Sequence, residues 1–153
     1  MSGTWATARA AVQAQCNGVT VSSPYSETLT AYEYAPGGRQ DLVAWPYAFP
    51  LPTGRRVRHE PGEQRYTTAD LVVRVMLAPV GAIDMEELHK RYDAWCVALA
   101  DAFDDALAFD NTVDQWLEQV FGPLVLFEDI DRGWGFDMTF EGVELSETKT
   151  PGG

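Results

Sequence analysis

The amino-acid sequence predicts an α+β fold: a mostly antiparallel β-sheet with an N-terminal helix and one long helix packed on one face, plus a long Arg/Pro-rich arm. Three observations carry this expectation. Residues 84–107 place Met85, Leu88, Tyr92, Trp95, Cys96, Leu99, Phe103 and Leu107 at 3-and-4 spacing, the signature of an amphipathic helix. Residues 66–79 (YTTADLVVRVMLAP) alternate, with Ala69, Leu71, Val73, Val75 and Leu77 on one face, as a half-buried strand does. Between the helical stretches lie several short β-branched and aromatic runs separated by Pro, Gly and Asn.

In chain order, residues 4–16 form the first predicted helix. Trp5, Ala8, Val12 and Cys16 share a stripe, Thr4 or Ser2 serves as cap, and Asn17-Gly18 is a stop. VTVS (19–22) and ETLTAYEY (27–34) read as strands. DLVAWPYAF (41–49) is also strand-like, but Pro46 places it at an edge or bulge. Residues 49–65 hold three Pro, two Gly and four Arg, and read as a long exposed loop or arm. The alternating strand 66–79 follows. The long helix opens on Asp84 as N-cap, with Glu87 at the capping-box position. NTVDQWLEQVFGP (111–123) fits a short helix. PLVLFEDI (123–130) and WGFDMTFEGVEL (134–145) then read as a hairpin turned by Asp131-Arg132-Gly133. One domain over 1–146 and a disordered polar tail over 147–153 complete the layout.

The 153 residues are the size of one ordinary domain, and 46% hydrophobic content excludes a disordered chain. No apolar run approaches the ~20 residues of a membrane span, and the first residues lack the unbroken apolar stretch of a signal peptide. The expectation is a soluble intracellular domain. The net charge of −12 argues against general nucleic-acid binding and against an anionic membrane as partner.

That charge is segregated. Residues 39–74 carry six Arg against Asp41, Glu60, Glu63 and Asp70, a net of +2. Residues 84–147 carry 17 acids against Lys90, Arg91 and Arg132, a net of −14. An acidic surface aids solubility. A polar molecule of this kind also lets identical subunits pair basic arm to acidic face around a ring. The interface candidates are Arg55, Arg56, Arg58 and Arg65 on the arm, and Asp101, Asp104, Asp105, Asp129 and Asp131 among the acids. The arm reads either as a solubilising loop or as an element that orders on an acidic protein surface or on passing DNA.

Catalytic patterns are weak. The sequence has no phosphate-binding loop and no G-x-S-x-G elbow. Cys16 and Cys96 read as buried free thiols, and two Cys with two His make no convincing zinc site. His89 and Cys96 lie two helical turns apart, too far for a catalytic pair. His59 reads as solvated. Glu128-Asp129-Ile130-Asp131 and the Asp101–Asp105 cluster carry residue types that hold Ca²⁺ or Mg²⁺, but Trp134 stands where an EF-hand loop needs Gly. No catalytic residue, metal or cofactor is therefore expected.

The order of elements resembles the tail terminator proteins of long, non-contractile-tailed bacteriophages. The likeness rests on the opening helix Trp5 to Cys16 and on an arm ending in Arg65-Tyr66. It continues through the strand LVVRVML, the long helix from Tyr92-Asp93-Ala94-Trp95 through Ala102-Phe103-Asp104-Asp105, and closing strands about Gly133-Trp134-Gly135-Phe136. It implies a virion protein assembled in the host bacterial cytoplasm. Such a protein forms a ring, typically a hexamer, at the head-proximal end of the tail tube. It ends tube polymerisation and joins the tail to head-closure or neck proteins, and DNA passes through the lumen only as cargo. Two other readings of the residues remain: an acidic binding module, such as an immunity protein or DNA mimic, that neutralises a basic partner, and a small metal-dependent enzyme.

Overall fold

The computed structural model describes residues 4–37, 43–62, 64–82, 84–104, 109 and 112–148. Helix α1 spans Trp5–Cys16, and Thr4 caps it by accepting the Thr7 N–H at 3.3 Å. Its buried side chains, Trp5, Ala8, Val12 and Cys16, are those of the predicted stripe. Two polar side chains at its C-terminal end dock it on the sheet. Gln13 donates to the Ala31 carbonyl, and the Asn17 side chain accepts the Ala31 N–H, each at 3.0 Å. Helix α2 spans Met85–Ala102, with Asp84 accepting the Glu87 N–H at 2.9 Å. It ends earlier than the apolar periodicity suggests; Phe103 is its C-cap and lies buried against Phe140, 4.7 Å between ring centroids.

The strands are β1 (Thr20–Val21), β2 (Glu27–Thr28), β3 (Thr30–Ala31), β4 (Tyr47–Leu51), β5 (Arg56–His59), β6 (Gln64–Ala78), β7 (Glu118–Phe121), β8 (Val125–Phe127) and β9 (Gly133–Thr148). β1 and β2 form a small sheet of their own. The other seven form one sheet with the path β3-β4-β6-β9-β7. Its spine is the antiparallel pair β6–β9. β4 and β5 share one edge of β6, and β7 and β8 share the outer edge of β9. Only β3–β4 is parallel.

Both helices and one sheet face build the main core, in which Val12, Trp95 and Leu99 meet Val73, Val75, Phe136, Met138 and Phe140. The alternation of β9 slips after Phe140, because Glu141 and Gly142 together oppose Asp70. Gly142 takes the left-handed conformation this bulge needs, and its N–H donates to Asp70 Oδ1 at 3.1 Å. The slip lets Val143 and Leu145 still face the helices.

Four expectations are corrected. Residues 49–65 are not a free arm: Phe49 to Leu51 complete β4, and Arg56–His59 pair with Arg65–Thr68 as a hairpin. Pro50 is tolerated because β3 ends opposite Ala48, leaving an open edge where a missing N–H removes no ladder bond. Residues 111–123 do not give a helix among the described residues. The Asp114 and Leu117 N–H groups donate to Glu144 and Glu141 carbonyls of β9 at 2.8 and 2.9 Å. The spacing that looked helical instead seats Trp116 on Phe140 and, stacked, on Phe109. The stretch 41–49 becomes strand only from Tyr47, and its residues 41 and 42 lie outside the described residues, as do 105–108 of the predicted long helix. β9 runs on to Thr148, past the start of the predicted tail.

Gly133-Trp134-Gly135 marks a backbone crossing. A Cβ on Gly135 would run into the Val75 carbonyl oxygen, whereas one on Gly54 would meet nothing within 4 Å. Gly135→Ala is expected to destabilise the fold by about 2–3 kcal/mol, and Gly54→Ala to stay within about 0.5 kcal/mol. Urea unfolding of the two variants beside the parent checks this.

Candidate interaction surface

The basic segment is an ordered β-extension. Arg56, Val57, Arg58 and His59 of β5 are all exposed. Among the described residues their strand pairs with β6 alone, which leaves its outer edge open there. The arginines are steered by aromatic rings: Arg58 lies 5.0 Å above the Tyr66 ring, directly across the ladder, and Arg55 lies 5.2 Å above the Trp5 ring. Arg58 also pairs with Glu60 at 2.7 Å, a solvent-exposed contact of little energetic weight.

Alternation sorts the extension into two faces. Arg56 and Arg58 point away from the helices. Arg55, Val57, His59 and Arg65 line a trough of about 570 Å³ whose opposite wall is the first turns of α1, including Trp5 and Arg9. A second hollow of about 480 Å³ lies by Arg55, Arg56 and Asp70. Arg9 was not singled out from the sequence, because it sits 46 positions before Arg55 and only the fold of α1 brings the two to one trough.

The acids divide. Asp101 and Asp104 are exposed at the C-terminal end of α2, continuing a ridge through Glu86, Asp93 and Val97. Asp105 lies outside the described residues. Asp129 and Asp131 belong elsewhere. Asp131 is 1% exposed and accepts a hydrogen bond from Tyr47 Oη at 3.1 Å. Asp129 pairs with Arg74 Nη1 at 2.8 Å. Asp131 is therefore no surface residue, and its contribution is to hold the loop before β9 onto β4.

Arg74 organises this second sheet face. It stands in register between Phe49 and Asp137, so all three side chains share one side. Its guanidinium grips Asp137 through Nε–Oδ1 at 2.8 Å and Nη2–Oδ2 at 3.2 Å. Phe127 covers it at 3.7 Å. At 7% exposure, Arg74 lies on a face closed at its centre by the segment 127–131. The Ile130 N–H and the Arg74 guanidinium hold the Asp129 carboxyl below its usual range.

One half-buried polar cluster has no sequence signal. Arg91 of α2 pairs with Glu27 of β2 at 3.3 Å and lies 4.8 Å above the Tyr25 ring. A hydrogen bond to Glu87 raises the Tyr25 hydroxyl pKa. These contacts fasten the β1–β2 hairpin to the first half of α2. They join residues more than 60 positions apart, so no local spacing announces them. Cys16, sealed in the core, has its thiol pushed up to about 12 by burial, which removes it as a nucleophile near neutral pH.

Among the described residues no three His, Cys, Asp or Glu side chains are grouped to hold a metal ion. No described helix is long and apolar enough to cross a membrane. No protein-family model matches the chain, and no curated protein matches it.

Removing Arg74 leaves Asp137 without its main partner and strips the cover from Phe127. Arg74→Ala is expected to lose about 3 kcal/mol, and Asp129→Asn, whose own side chain is 62% exposed, under about 1 kcal/mol. The Asp129 contribution is present above the ordinary carboxylate pKa and lost as pH falls through its depressed folded value. The stability difference between the parent and Asp129→Asn should therefore shrink in acid, which urea midpoints at pH 7 and pH 3 measure.

Proposed function

We propose that the protein is a structural assembly subunit that closes into a ring with copies of itself. In this reading the ring, a hexamer, caps the head-proximal end of a bacteriophage tail tube, ends tube polymerisation, and joins the tail to head-closure or neck proteins. Its place is the virion neck, after assembly in the host cytoplasm, and DNA is only cargo passing through the lumen. The role needs neither catalysis nor a cofactor.

One observation carries the self-assembly: an exposed, arginine-rich β-extension and an acidic outer helix face occupy different elements of the same chain. Unlike patches on one subunit make a heterologous contact, and a heterologous contact that closes makes a ring. The open edge of β5 supports the same reading, since an unpaired edge is managed by charge or by a partner. The choice of a tail terminator within this class comes from the order of elements. That resemblance rests, in the sequence, on an opening helix, an arm ending in Arg65-Tyr66, an alternating strand, a long helix and closing strands about Gly133-Trp134-Gly135-Phe136; the arm is a β-hairpin in the fold, and the other elements keep their order.

Native mass measured across protein concentration and salt tests the proposal. We expect one closed species of six copies at about 0.1 M salt, giving way to monomer near 1 M as the screening length falls from about 10 to about 3 Å. Added to growing tail tubes, the protein should stop their elongation. A strict monomer that leaves tubes growing and instead binds a basic nuclease tightly would contradict it and favour the acidic binding module.

A further inference from the structure

We infer that the trough between α1 and the β5–β6 hairpin seats the outer ridge of α2 from a second copy, with Val97 as the apolar knob that enters it. This rests on the ring reading and names its contact.

The two surfaces match in three respects. The first is charge. Arg9, Arg55 and Arg65 line the trough, and among the described residues no Asp or Glu lines it, in a chain of net charge −12. The ridge carries Asp93 and Asp101, both exposed, and Asp104 beyond them. The second is apolar content. Val57 is 49% exposed on the trough side of β5, and Val97 is 63% exposed between its two aspartates. Each is an apolar residue left in water beside charge, Val57 in a trough lined by Arg9, Arg55 and Arg65 and Val97 between Asp93 and Asp101. The third is length. Asp93, Val97 and Asp101 sit at i, i+4 and i+8 on one helical row, so the outer two are about 12 Å apart. Arg55 to His59 of extended chain covers about 13 Å. A helix ridge laid along β5 thus meets arginine at its acidic positions and Val57 near its centre. The contact is directional, trough of one copy to ridge of the next, as a closed ring requires.

The test combines a cross-link with charge swaps in the full chain. With Cys96→Ser as background, Val57→Cys and Val97→Cys together should give an intermolecular disulfide ladder under mild oxidation, and either cysteine alone should stop at dimers. Arg9→Glu with Arg55→Glu should weaken association at least tenfold, as should Asp93→Arg with Asp101→Arg. The chain carrying all four changes should regain it. Arg55, Val57, Asp93, Val97 and Asp101 are exposed, whereas Arg9 and Cys96 are half-buried, and unchanged circular dichroism and melting temperature verify the fold of each variant. A wild-type ring that gives no ladder and ignores both reversals overturns this contact while the ring stands. A ladder without any closed species keeps the contact and overturns the ring. A monomer with no ladder overturns both.

Discussion

Everything in this molecule is hung on the pairing of β6 with β9. These strands, 15 and 16 residues long, run antiparallel over nearly their whole length. Each supplies one edge on which two short strands dock in series. Strands of two to five residues bury too little to hold themselves. For β4, β5, β7 and β8 the ribbon supplies the backbone partners. The pairing is itself conditional on two glycines: Gly135 admits the close passage of β6, and Gly142 lets the bulge restore the inward face.

The ribbon outruns its own core. Over 71–78 it is covered on both sides, by the helices on one face and by Phe127 to Asp131 on the other. Beyond Ala69 the cover thins, and the ribbon continues into the exposed β5–β6 hairpin. Arg74 stands at the centre of the covered part. A buried arginine is tolerated there because Asp137 and Asp129 complete its hydrogen bonds and Phe127 stacks on its face. The same arginine fixes the loop leading into β9, so the second face is an ordered lid. Arg55, Arg56 and Arg58 of the extension are exposed instead, with Arg55 over Trp5 and Arg58 over Tyr66.

Both helices and the central strand were legible because their stripes are local. Trp5, Ala8, Val12 and Cys16, or Leu71, Val73, Val75 and Leu77, need only their own spacing to reveal a buried side. The β5 hairpin was not legible, since its pairing to β6 overrides a Pro/Gly composition typical of loops. The stretch 111–123 misled for the converse reason: its apolar spacing is set by the Phe109–Phe140 aromatic group, and its backbone donors are taken by β9. Among the candidate site residues, the arginines of the arm divide between two faces of the hairpin, Arg56 and Arg58 on one and Arg55 and Arg65 on the other, where the fold adds Arg9. Asp131 departs, because a carboxylate beside a buried tyrosine looks no different in sequence from one in water.

The account makes the chain's lopsided charge an assembly code, with a preformed basic hairpin addressing an acidic helix on a neighbour. Single-particle imaging of the assembled protein tests that claim most directly. The account predicts a closed ring with a central opening, in which the β5–β6 hairpin of each subunit lies against α2 of the next. Hairpins projecting free into solvent, or a two-fold dimer joined through like surfaces, would contradict it.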